Sequence, residues 1–363
     1  MKFFKIISAA FLVSCAPQGQ GKDAGKVSAS NSSSEDNNNQ DLIMSDLLTA
    51  FWNVENLFDF EDDAKTRDND FLPDGKYNWT ESKYYQKLDR IAQVMNDFGD
   101  ELPHLMGLVE VENFKVLEDL VKHDDLRKAG YKIIHKESKD QRGIDVAVLY
   151  NPNYLSLIEF EFLDIDSHSD KPLFSRDILF ASFKQADGSV LHSFTNHWPS
   201  RRNGWKETEH KRLAAAKTLK SKLNDIKLTN PDAQILISGD FNDYPDNKSL
   251  FEVIGAKSIK DKSADLINLA FELDKDNLGT ITYDGDWGMF DMYIVSKSLL
   301  NKTSWDVKKS EMKIFKEDYL LYYDKKHQQN QPSRFQGNRF YGGYSDHLAI
   351  YLYLEKNKYL LDR

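Results

Sequence analysis

The stretch AQILISGDFND, residues 233 to 243, has the pattern of a buried β-strand that ends in polar side chains. The apolar run AQILI comes first, and Asp240, Asn242 and Asp243 follow it, although all three belong to residue types that are rare in strands. A turn explains any single ending of this kind, because Asp, Asn and Gly tolerate unusual dihedral angles and bond to their own backbone. The alternative is a metal or phosphate site at the carboxyl end of the strand.

Five other apolar segments also meet polar side chains at one end. These segments are FWNVEN with Asn53 and Glu55, LVEVEN with Glu110 and Glu112, FTNHW with Asn196 and His197, FDMYIVS with Asp291, and YSDHLAI with Asp346 and His347. Six independent turns explain such a repeated pattern poorly. Carboxylate and amide oxygens are the ligands that Mg²⁺ and Mn²⁺ prefer, so the pattern predicts a divalent-cation site with two histidines beside it.

Other common catalytic motifs are missing from the sequence. It has a single cysteine, no HExxH and no close pair of histidines, which argues against the usual zinc sites. It also has no P-loop, no GxSxG and no GxGxxG between a strand and a helix. A divalent cation, two histidines and arginines together fit the hydrolysis of a phosphate ester.

Apolar periodicity predicts a mixture of helices and strands after residue 46. Apolar residues at helical spacing predict helices over 81–98, 114–130 and 206–223. Strands between 144 and 197 follow each other with short turns, which indicates an antiparallel meander. This mixture predicts an α/β sandwich in which two sheets pack face to face with helices outside. Two domains are the alternative, but no linker separates them.

The first residues have the pattern of an export signal. Lys2 and Lys5 precede an apolar run from Ile6 to Val13 that is too short to span a bilayer. The tetrapeptide LVSC, which ends at Cys15, resembles a bacterial lipobox, in which cleavage precedes the cysteine and the thiol is lipidated. An ordinary secretory signal cut nearby is the alternative, and both interpretations export the protein. Cys15 is the only cysteine, so the chain cannot form an internal disulfide.

The composition divides the chain into three regions. Residues 1–14 are predicted to be a lipoprotein signal peptide. Residues 15–45 are predicted to contain the lipidated cysteine and a flexible tether that is rich in Ser, Asn and acidic residues. Residues 46–363 are predicted to form one catalytic domain. We expect export and a lipid anchor in the bacterial cell envelope, at the outer membrane. The formal net charge of −10 excludes a basic nucleic-acid coat protein but is compatible with an enzyme that uses a cation on phosphates.

Seven motifs, in order along the chain, resemble those of the endonuclease/exonuclease/phosphatase superfamily, in particular its exported lipoprotein-type members. They are WNVEN, LVEVEN, RGIDVAVLY, NHWPSR, SGDFND, FDMYIVS and SDH, and the resemblance covers roughly residues 47–355. The superfamily includes pancreatic-type deoxyribonuclease, abasic-site endonucleases, sphingomyelinases and inositol polyphosphate 5-phosphatases. The resemblance implies a four-layered α/β sandwich with two mainly antiparallel sheets packed face to face and helices outside.

The resemblance also implies a role for each matching residue. Asn53, Glu110 and Asp346 would hold Mg²⁺ or Mn²⁺, and Asp240 would orient or deprotonate the attacking water. His347 would stabilise charge or donate a proton, and Asp291 would fix the tautomer of His347. The phosphate would be contacted by Asn242, which would hold one of its oxygens, by His197 as a second imidazole, and by Arg142. Glu112 lies two residues from Glu110, and we expect it outside the group that contacts the metal.

Two loops beside these motifs are candidates for substrate contacts. Arg201 and Arg202 follow His197 in a segment that contains tryptophans. This segment fits a loop that grips phosphates and bases, and it fits equally well a solvated loop before a helix. The tract SRFQGNRFYGGYSDH, residues 333–347, fits a mobile lip of the pocket or an ordinary loop.

The predicted function is that of a divalent-metal-dependent phosphoesterase. The first hypothesis is an exported nuclease or phosphodiesterase that acts as a monomer on nucleic acid and touches the membrane only through its lipid, although the acidic balance counts against tight duplex binding. One alternative is a phosphomonoesterase or phospholipid phosphodiesterase of the same superfamily. The other is an inactive surface-binding lipoprotein, against which the intact set of site residues argues. Substrate loops, and not the catalytic centre, decide among the phosphate esters.

Overall fold

Two β-sheets, with strands drawn from all parts of the sequence, carry the fold. The computed structural model describes residues 26–27, 42–301 and 305–356. Its strands are β1 (Lys26–Val27), β2 (Leu47–Leu57), β3 (Leu105–Val111), β4 (Lys132–His135), β5 (Asp145–Tyr150), β6 (Ser156–Leu163), β7 (Ile178–Lys184), β8 (Val190–His197), β9 (Gln234–Asp240), β10 (Ala256–Lys257), β11 (Leu266–Asn268), β12 (Ile281–Tyr283), β13 (Asp286–Gly288), β14 (Asp291–Ser296), β15 (Trp305–Val307), β16 (Lys313–Ile314), β17 (Leu321–Asp324), β18 (Gln329–Pro332) and β19 (Ile350–Lys356).

Helices connect some of these strands. The α-helices are α1 (Glu81–Asn96), α2 (Phe114–Val121), α3 (Trp205–Thr229) and α4 (Phe271–Lys275). A π-helical segment covers Ser249–Ile254. Short 3₁₀ segments cover Asn69–Phe71, Arg127–Ala129, Ile165–His168, Lys297–Leu300, Lys308–Ser310 and Asp318–Leu320.

The strands form two large sheets and two separate hairpins. The first sheet has the order β1-β4-β5-β3-β2-β19-β15, and β16 also pairs with β19. The second sheet has the order β10-β11-β14-β9-β8-β7-β6, and the hairpins are β12–β13 and β17–β18. The pairs β2–β3, β8–β9 and β10–β11 are parallel, and the other pairs between the described strands are antiparallel.

Alternating side chains on each strand serve opposite layers of the core. In β2, Phe51 packs between the two sheets, whereas Trp52 packs with the apolar faces of α1 and α2 on the outside of the first sheet. On the other side of the molecule, α3 buries Leu219 and Leu223 against the second sheet. Each such fully buried side chain contributes about 1.5–3 kcal/mol. Helices therefore cover both sheets from outside, and the predicted four-layered α/β sandwich is confirmed.

Two details of the predicted organisation are wrong. The helix predicted over 114–130 ends at Val121, and the 3₁₀ segment Arg127–Ala129 follows, closed by Gly130 with a φ of 61°. The predicted meander also divides between the sheets. Strand β5 lies between β4 and β3 in the first sheet, and the antiparallel meander of the second sheet contains β6, β7 and β8. An apolar pattern predicts a strand but does not predict the sheet to which the strand belongs.

The predictions for the N-terminus lie mostly outside the described residues. The signal peptide 1–14 and Cys15 belong there, so the three region boundaries stay predictions. Within the predicted tether 15–45, Lys26 and Val27 form β1 and pair antiparallel with β4. Among the helices of the described residues, none combines the length and the apolar character that crossing a bilayer requires.

Strand direction brings the polar strand ends to one edge of the sandwich. The parallel pairs β2–β3 and β8–β9 place their carboxyl ends side by side. Asp240, at the end of β9, lies opposite His197 on one side and opposite Asp291, the first residue of the antiparallel β14, on the other. Strand β19 runs antiparallel to β2 and begins just after His347. The polar endings are therefore neighbours in space although they are distant in sequence.

Candidate active site

A β-bulge positions Glu110 at the end of β3. The pairing of β3 with β5 shifts register between Val109 and Val111, and the pairing of β2 with β3 shifts after Asn53. Glu110 is the extra residue and has a φ of 63°, a conformation that costs a non-glycine residue about 1–3 kcal/mol. Its carboxylate accepts hydrogen bonds from Asn53 Nδ2 at 3.3 Å and from the backbone N–H of Asn56 at 3.1 Å.

Glu112, two residues further on, contacts a different part of the molecule. Its Oε2 accepts the backbone N–H of Asp59 at 2.8 Å, and its side chain is buried. Burial raises the pKa of Glu112 to about 9, although the hydrogen bond from Asp59 opposes the shift. Glu112 is thus a buried carboxyl next to the Asp59 loop, and Glu110 is the one that meets Asn53.

Asp240 is the buried carboxylate around which the site is arranged. Its Oδ2 accepts a hydrogen bond from Asn53 Nδ2 at 3.1 Å, and its Oδ1 accepts the backbone N–H of Asn242 at 3.0 Å. The same Oδ2 lies 3.7 Å from His197 Nε2 and 3.8 Å from His347 Nε2. Burial raises the pKa of Asp240 to about 7, and the positive charge of His347 limits the rise. Two imidazoles, one at the end of β8 and one before β19, therefore face the same carboxylate oxygen.

A hydrogen-bonded chain holds His347 in place. His347 Nδ1 lies 2.7 Å from Asp291 Oδ2, and Thr280 Oγ1 donates a hydrogen bond of 2.5 Å to the same oxygen. The backbone N–H of Leu348 in turn donates to the carbonyl oxygen of Thr280 at 2.7 Å. The Asp291–His347 pairing matches the prediction, whereas Thr280 was not among the predicted residues, because the segment GTITYDG carries no motif.

The surroundings shift the pKa values of the two histidines in opposite directions. Burial lowers the pKa of His347, but Asp291 and Asp240 overcome that effect and raise it well above the usual value, which favours the protonated imidazole. Burial lowers the pKa of His197 well below its usual value, and the charge of Arg176 adds to the fall. Within the described residues His197 Nδ1 is buried without a hydrogen-bond partner. The surroundings therefore favour a protonated His347 and a neutral His197.

Asp346 is held by an arginine that the motifs did not reveal. Its Oδ2 forms an ion pair with Arg334 Nη2 at 3.0 Å, and Arg334 Nε donates to Glu55 Oε1 at 2.8 Å. Burial raises the pKa of Glu55 to about 8, and the charge of Asp346 adds to the rise. Among the described residues no hydrogen bond joins Asp346 to Glu110, so its predicted role as a metal ligand stays a prediction. The only sign of Arg334 in the sequence was its place in the basic tract before SDH.

Arg201 supports the loop after β9. Its Nε donates to the backbone carbonyl of Asn242 at 2.8 Å, and its Nη2 contacts Asp243 Oδ1 at 2.9 Å. Its guanidinium carbon lies 4.8 Å from the ring centroid of Tyr244 and 5.0 Å from that of Phe290. In the structure Arg201 therefore holds the loop that carries Asn242 and Asp243, a role that the prediction of a substrate contact did not include.

The remaining predicted residues have side chains that are exposed or bonded to neighbouring loops. Arg142 makes two contacts to Asp140, from Nε at 3.2 Å and from Nη2 at 3.0 Å, and its side chain is half exposed. Arg202 is exposed. The side chain of Asn242 donates from Nδ2 to the backbone carbonyl of Trp198 at 3.1 Å. The predicted phosphate contacts of Arg142, Arg202 and Asn242 stay predictions.

The donor set fits a hard divalent cation. Asp240, Asp291 and His347 have ligand atoms within 4.8 Å of one another. Because Asp291 and His347 bond to each other and His347 carries a positive charge, we favour Glu110 over that pair as the principal ligand. Asn53 Nδ2 donates to both Glu110 and Asp240 and so links the two carboxylates. The oxygen-rich composition suits Mg²⁺ or Mn²⁺.

The comparison with protein families agrees with this geometry. A model of the endonuclease/exonuclease/phosphatase family matches residues 48–356. Because the match covers most of the chain, the protein belongs to this family, whose members are metal-dependent phosphoesterases. No curated protein matches the sequence significantly.

Solved structures of this family share the fold at low sequence identity. A mannosyl-6-phosphatase from Bacteroides thetaiotaomicron VPI-5482 is 17% identical, with 85% of this chain and 99% of that chain covered and a TM-score of 0.53. TDP2 from D. rerio, complexed with a single-strand DNA product, is 17% identical, with 86% and 99% covered and a TM-score of 0.53. The human Nocturnin catalytic domain, with a bound sulfate anion, is 15% identical, with 86% and 96% covered and a TM-score of 0.51. At these identities the likeness establishes the fold alone.

Proposed function

We propose that the protein is an exported, divalent-metal-dependent phosphodiesterase that cleaves nucleic acid. The observation that carries the proposal is the buried Asp240 carboxylate between His197 and His347, bridged by Asn53 to Glu110. A base, a charged imidazole and a carboxylate that can hold a cation are the groups that in-line hydrolysis of a phosphate ester requires.

Asp240 acts as the base in this mechanism. Its pKa of about 7 lies close to a neutral working pH, where a general base is most effective. It accepts a proton from a water molecule while the water oxygen attacks phosphorus. The distances of 3.7 and 3.8 Å from its Oδ2 to the two imidazoles exceed those of direct hydrogen bonds, so neither ring occupies this oxygen.

His347 acts on the same phosphate group, with its Nε2 3.8 Å from Asp240 Oδ2. As a cation it stabilises the negative charge of the transition state and then gives its proton to the departing oxygen, so that one proton is taken from water and one is returned. Asp291 holds the ring through Nδ1 and leaves Nε2 directed at the substrate. The neutral His197 offers a second polar contact without adding charge.

Glu110 would hold the metal ion, with Asn53 and Asp346 as the further predicted ligands. When bound, Mg²⁺ or Mn²⁺ polarises a phosphoryl oxygen and screens negative charge. Asn53 contributes in addition by keeping Glu110 and Asp240 together, since its Nδ2 donates to both carboxylates.

Nucleic acid is the first candidate substrate. Arg142 is half exposed although it is paired with Asp140, and the exposed Arg202 follows His197 by five residues; such guanidinium groups suit a ligand with more than one phosphate. The D. rerio TDP2 structure with a single-strand DNA product supports this class. The mannosyl-6-phosphatase of the same fold supports the second candidate, a phosphomonoesterase.

One panel of assays tests the proposal. The protein is incubated with Mg²⁺, Mn²⁺ or EDTA and with single- and double-stranded DNA, RNA, bis-p-nitrophenyl phosphate, sugar phosphates, inositol phosphates and sphingomyelin, with Asp240→Asn as the inactive control. We expect metal-dependent cleavage of diesters and none in the control. Cleavage of monoesters alone would support the phosphatase, and binding of metal without cleavage of any ester would support an inactive binding protein.

Lipid attachment at Cys15 is part of the proposal. The lipobox-like LVSC supports it. In bacteria, Cys15→Ser should move the protein from the membrane fraction to the soluble fraction, while Ser14→Ala should leave it in the membrane. An equal distribution of the Cys15→Ser variant and the wild type would contradict the anchor.

A further inference from the structure

A short basic and aromatic segment lies beside the site, in the loop before β19. This segment, which we call the lip, comprises residues 334–341 and exposes Arg334, Arg339 and Tyr341. The Arg334 side chain is 47% exposed and Tyr341 is 51% exposed. Gly337 lies between them, since a Cβ built on it would lie 3.0 Å from Tyr341 Cε2 and 3.9 Å from Arg334 Nε. The tyrosine ring and the Arg334 guanidinium therefore lie close to the same glycine.

Arg334 fixes the lip to the catalytic centre. Its Nε donates to Glu55 at 2.8 Å, and its Nη2 contacts Asp346 at 3.0 Å. Glu55 is buried, and its second oxygen accepts the backbone N–H of Phe335 at 2.8 Å. Because Asp346 directly precedes His347 in the chain, the guanidinium stands next to the groups that act on the scissile phosphate.

The chemistry of the lip suits an anionic ligand with a planar group. The guanidinium carbon of Arg339 lies 5.0 Å from the ring centroid of Tyr341, so a positive charge lies beside the ring. The chain as a whole has a net charge of −10, and the lip is therefore not an extension of a generally basic surface. A guanidinium binds phosphate oxygens in pairs, and a tyrosine ring stacks on a nucleobase.

We propose that Arg339 and Tyr341, on the lip that Arg334 fixes to the catalytic centre, form a binding site for the nucleotide next to the scissile phosphate of a single-stranded nucleic acid. This assignment rests on the proposed function and narrows its substrate class. A base must be unpaired to stack on Tyr341, whereas duplex affinity comes mainly from many phosphate contacts, which a small basic patch supplies poorly. A sugar phosphate is the other ligand that a ring and a guanidinium hold, and the experiment separates the two.

Binding is measured in the Asp240→Asn protein with Mg²⁺ and a short single-stranded DNA in which 2-aminopurine replaces every adenine. Stacking on Tyr341 should quench the fluorescence. Tyr341→Ala should weaken binding at least about fivefold, the lower end of the effect of losing one stacked base. Arg339→Ala should weaken binding and flatten its salt dependence. Leu228→Ala, which removes an 84% exposed side chain near the end of α3, is the control and should bind like its parent.

Cleavage gives a second readout. The ratio of kcat/KM for a dinucleotide to kcat/KM for its analogue with one base replaced by hydrogen should fall at least about fivefold in Tyr341→Ala. A merely structural role of Tyr341 would lower both values equally, and that result, or undiminished binding of the single strand, would overturn the inference. Binding of hexose phosphate but not of the single strand would overturn it in favour of a sugar-phosphate ligand.

The proposed function and this inference fail in different ways. A protein that binds the single strand through Tyr341 but cleaves no diester would end the proposed function and keep the binding site. A protein that cleaves both dinucleotides with a ratio unaffected by Tyr341→Ala would keep the proposed function and end the binding site.

Discussion

Replacing Thr280 by valine tests how the site holds its charged imidazole. Thr280 is fully buried, and its Oγ1 donates to Asp291 Oδ2 at 2.5 Å. The same oxygen lies 2.7 Å from His347 Nδ1, while Asp291 Oδ1 is buried without a hydrogen-bond partner in the part of the chain that the structure describes. Valine keeps the shape of threonine and removes the donor, so the carboxylate would depend on the imidazole alone.

The expected magnitude follows from these contacts. A hydrogen bond to a charged group contributes about 1.5–3 kcal/mol, so Thr280→Val should lower the free energy of unfolding by about 2 kcal/mol. A loss of about 1.4 kcal/mol in the orientation of His347 would lower kcat about tenfold. In an Asp291→Asn background the substitution removes only a neutral hydrogen bond of about 1 kcal/mol. The double-mutant cycle should therefore give a coupling energy of about 1 kcal/mol between positions 280 and 291.

Urea unfolding and kcat on a p-nitrophenyl diester measure the two effects in the same preparations. Thr280→Ser is the matched control, because it keeps the hydroxyl and loses one methyl group. It should lose about 0.8 kcal/mol of stability and keep a kcat close to that of the wild type. The reasoning is refuted if Thr280→Val has the wild-type urea midpoint and kcat, or if its effect is the same with and without the Asp291 charge.

Three further predictions concern catalysis, metal and pH. His347→Ala and Asp240→Asn should each lower kcat at least about 100-fold, and a near-normal kcat would contradict the assigned role. EDTA should abolish cleavage, and Mg²⁺ or Mn²⁺ should restore it. The added metal should also raise Tm, and Glu110→Gln should reduce that rise. A rise in Tm that is the same in the variant and the wild type would place the ion elsewhere. Burial raises the folded pKa of Glu112 from 4.5 to about 9, so the wild type loses stability as the pH rises through this window. The Glu112→Gln side chain still accepts the Asp59 N–H. In EDTA, the free energy of unfolding of this variant should equal that of the wild type near pH 4 and exceed it by at least about 1.4 kcal/mol at pH 8. A variant as stable as the wild type at both pH values would contradict the raised pKa.

The polar strand ends were visible in the sequence because strands have a direction. Once AQILI is recognised as a strand, Asp240 must stand at its carboxyl end, and parallel neighbours place His197 beside it. The four-layered sandwich followed from the same pattern together with the family motifs. The assignment of β5 to the first sheet was missed, because hydrogen bonding between strands depends on partners that are remote in sequence.

The partners of the motif residues were harder to predict than the residues themselves. Thr280 and Arg334 reach Asp291 and Asp346 only through tertiary contacts, and neither lies in a recognisable local pattern. The charge difference between the imidazoles was also hidden. It depends on burial and on which carboxylates and arginines surround each ring, and these are properties of the folded chain.

The bulge at Glu110 has a consequence for attempts to make the protein more heat-resistant. Its φ of 63° is one that glycine adopts freely and glutamate does not. Directed evolution that selects only for stability at high temperature should therefore enrich glycine at this position. The selected variants would be more stable but would bind the metal ion weakly. Any such selection on this fold needs turnover of substrate as a second criterion.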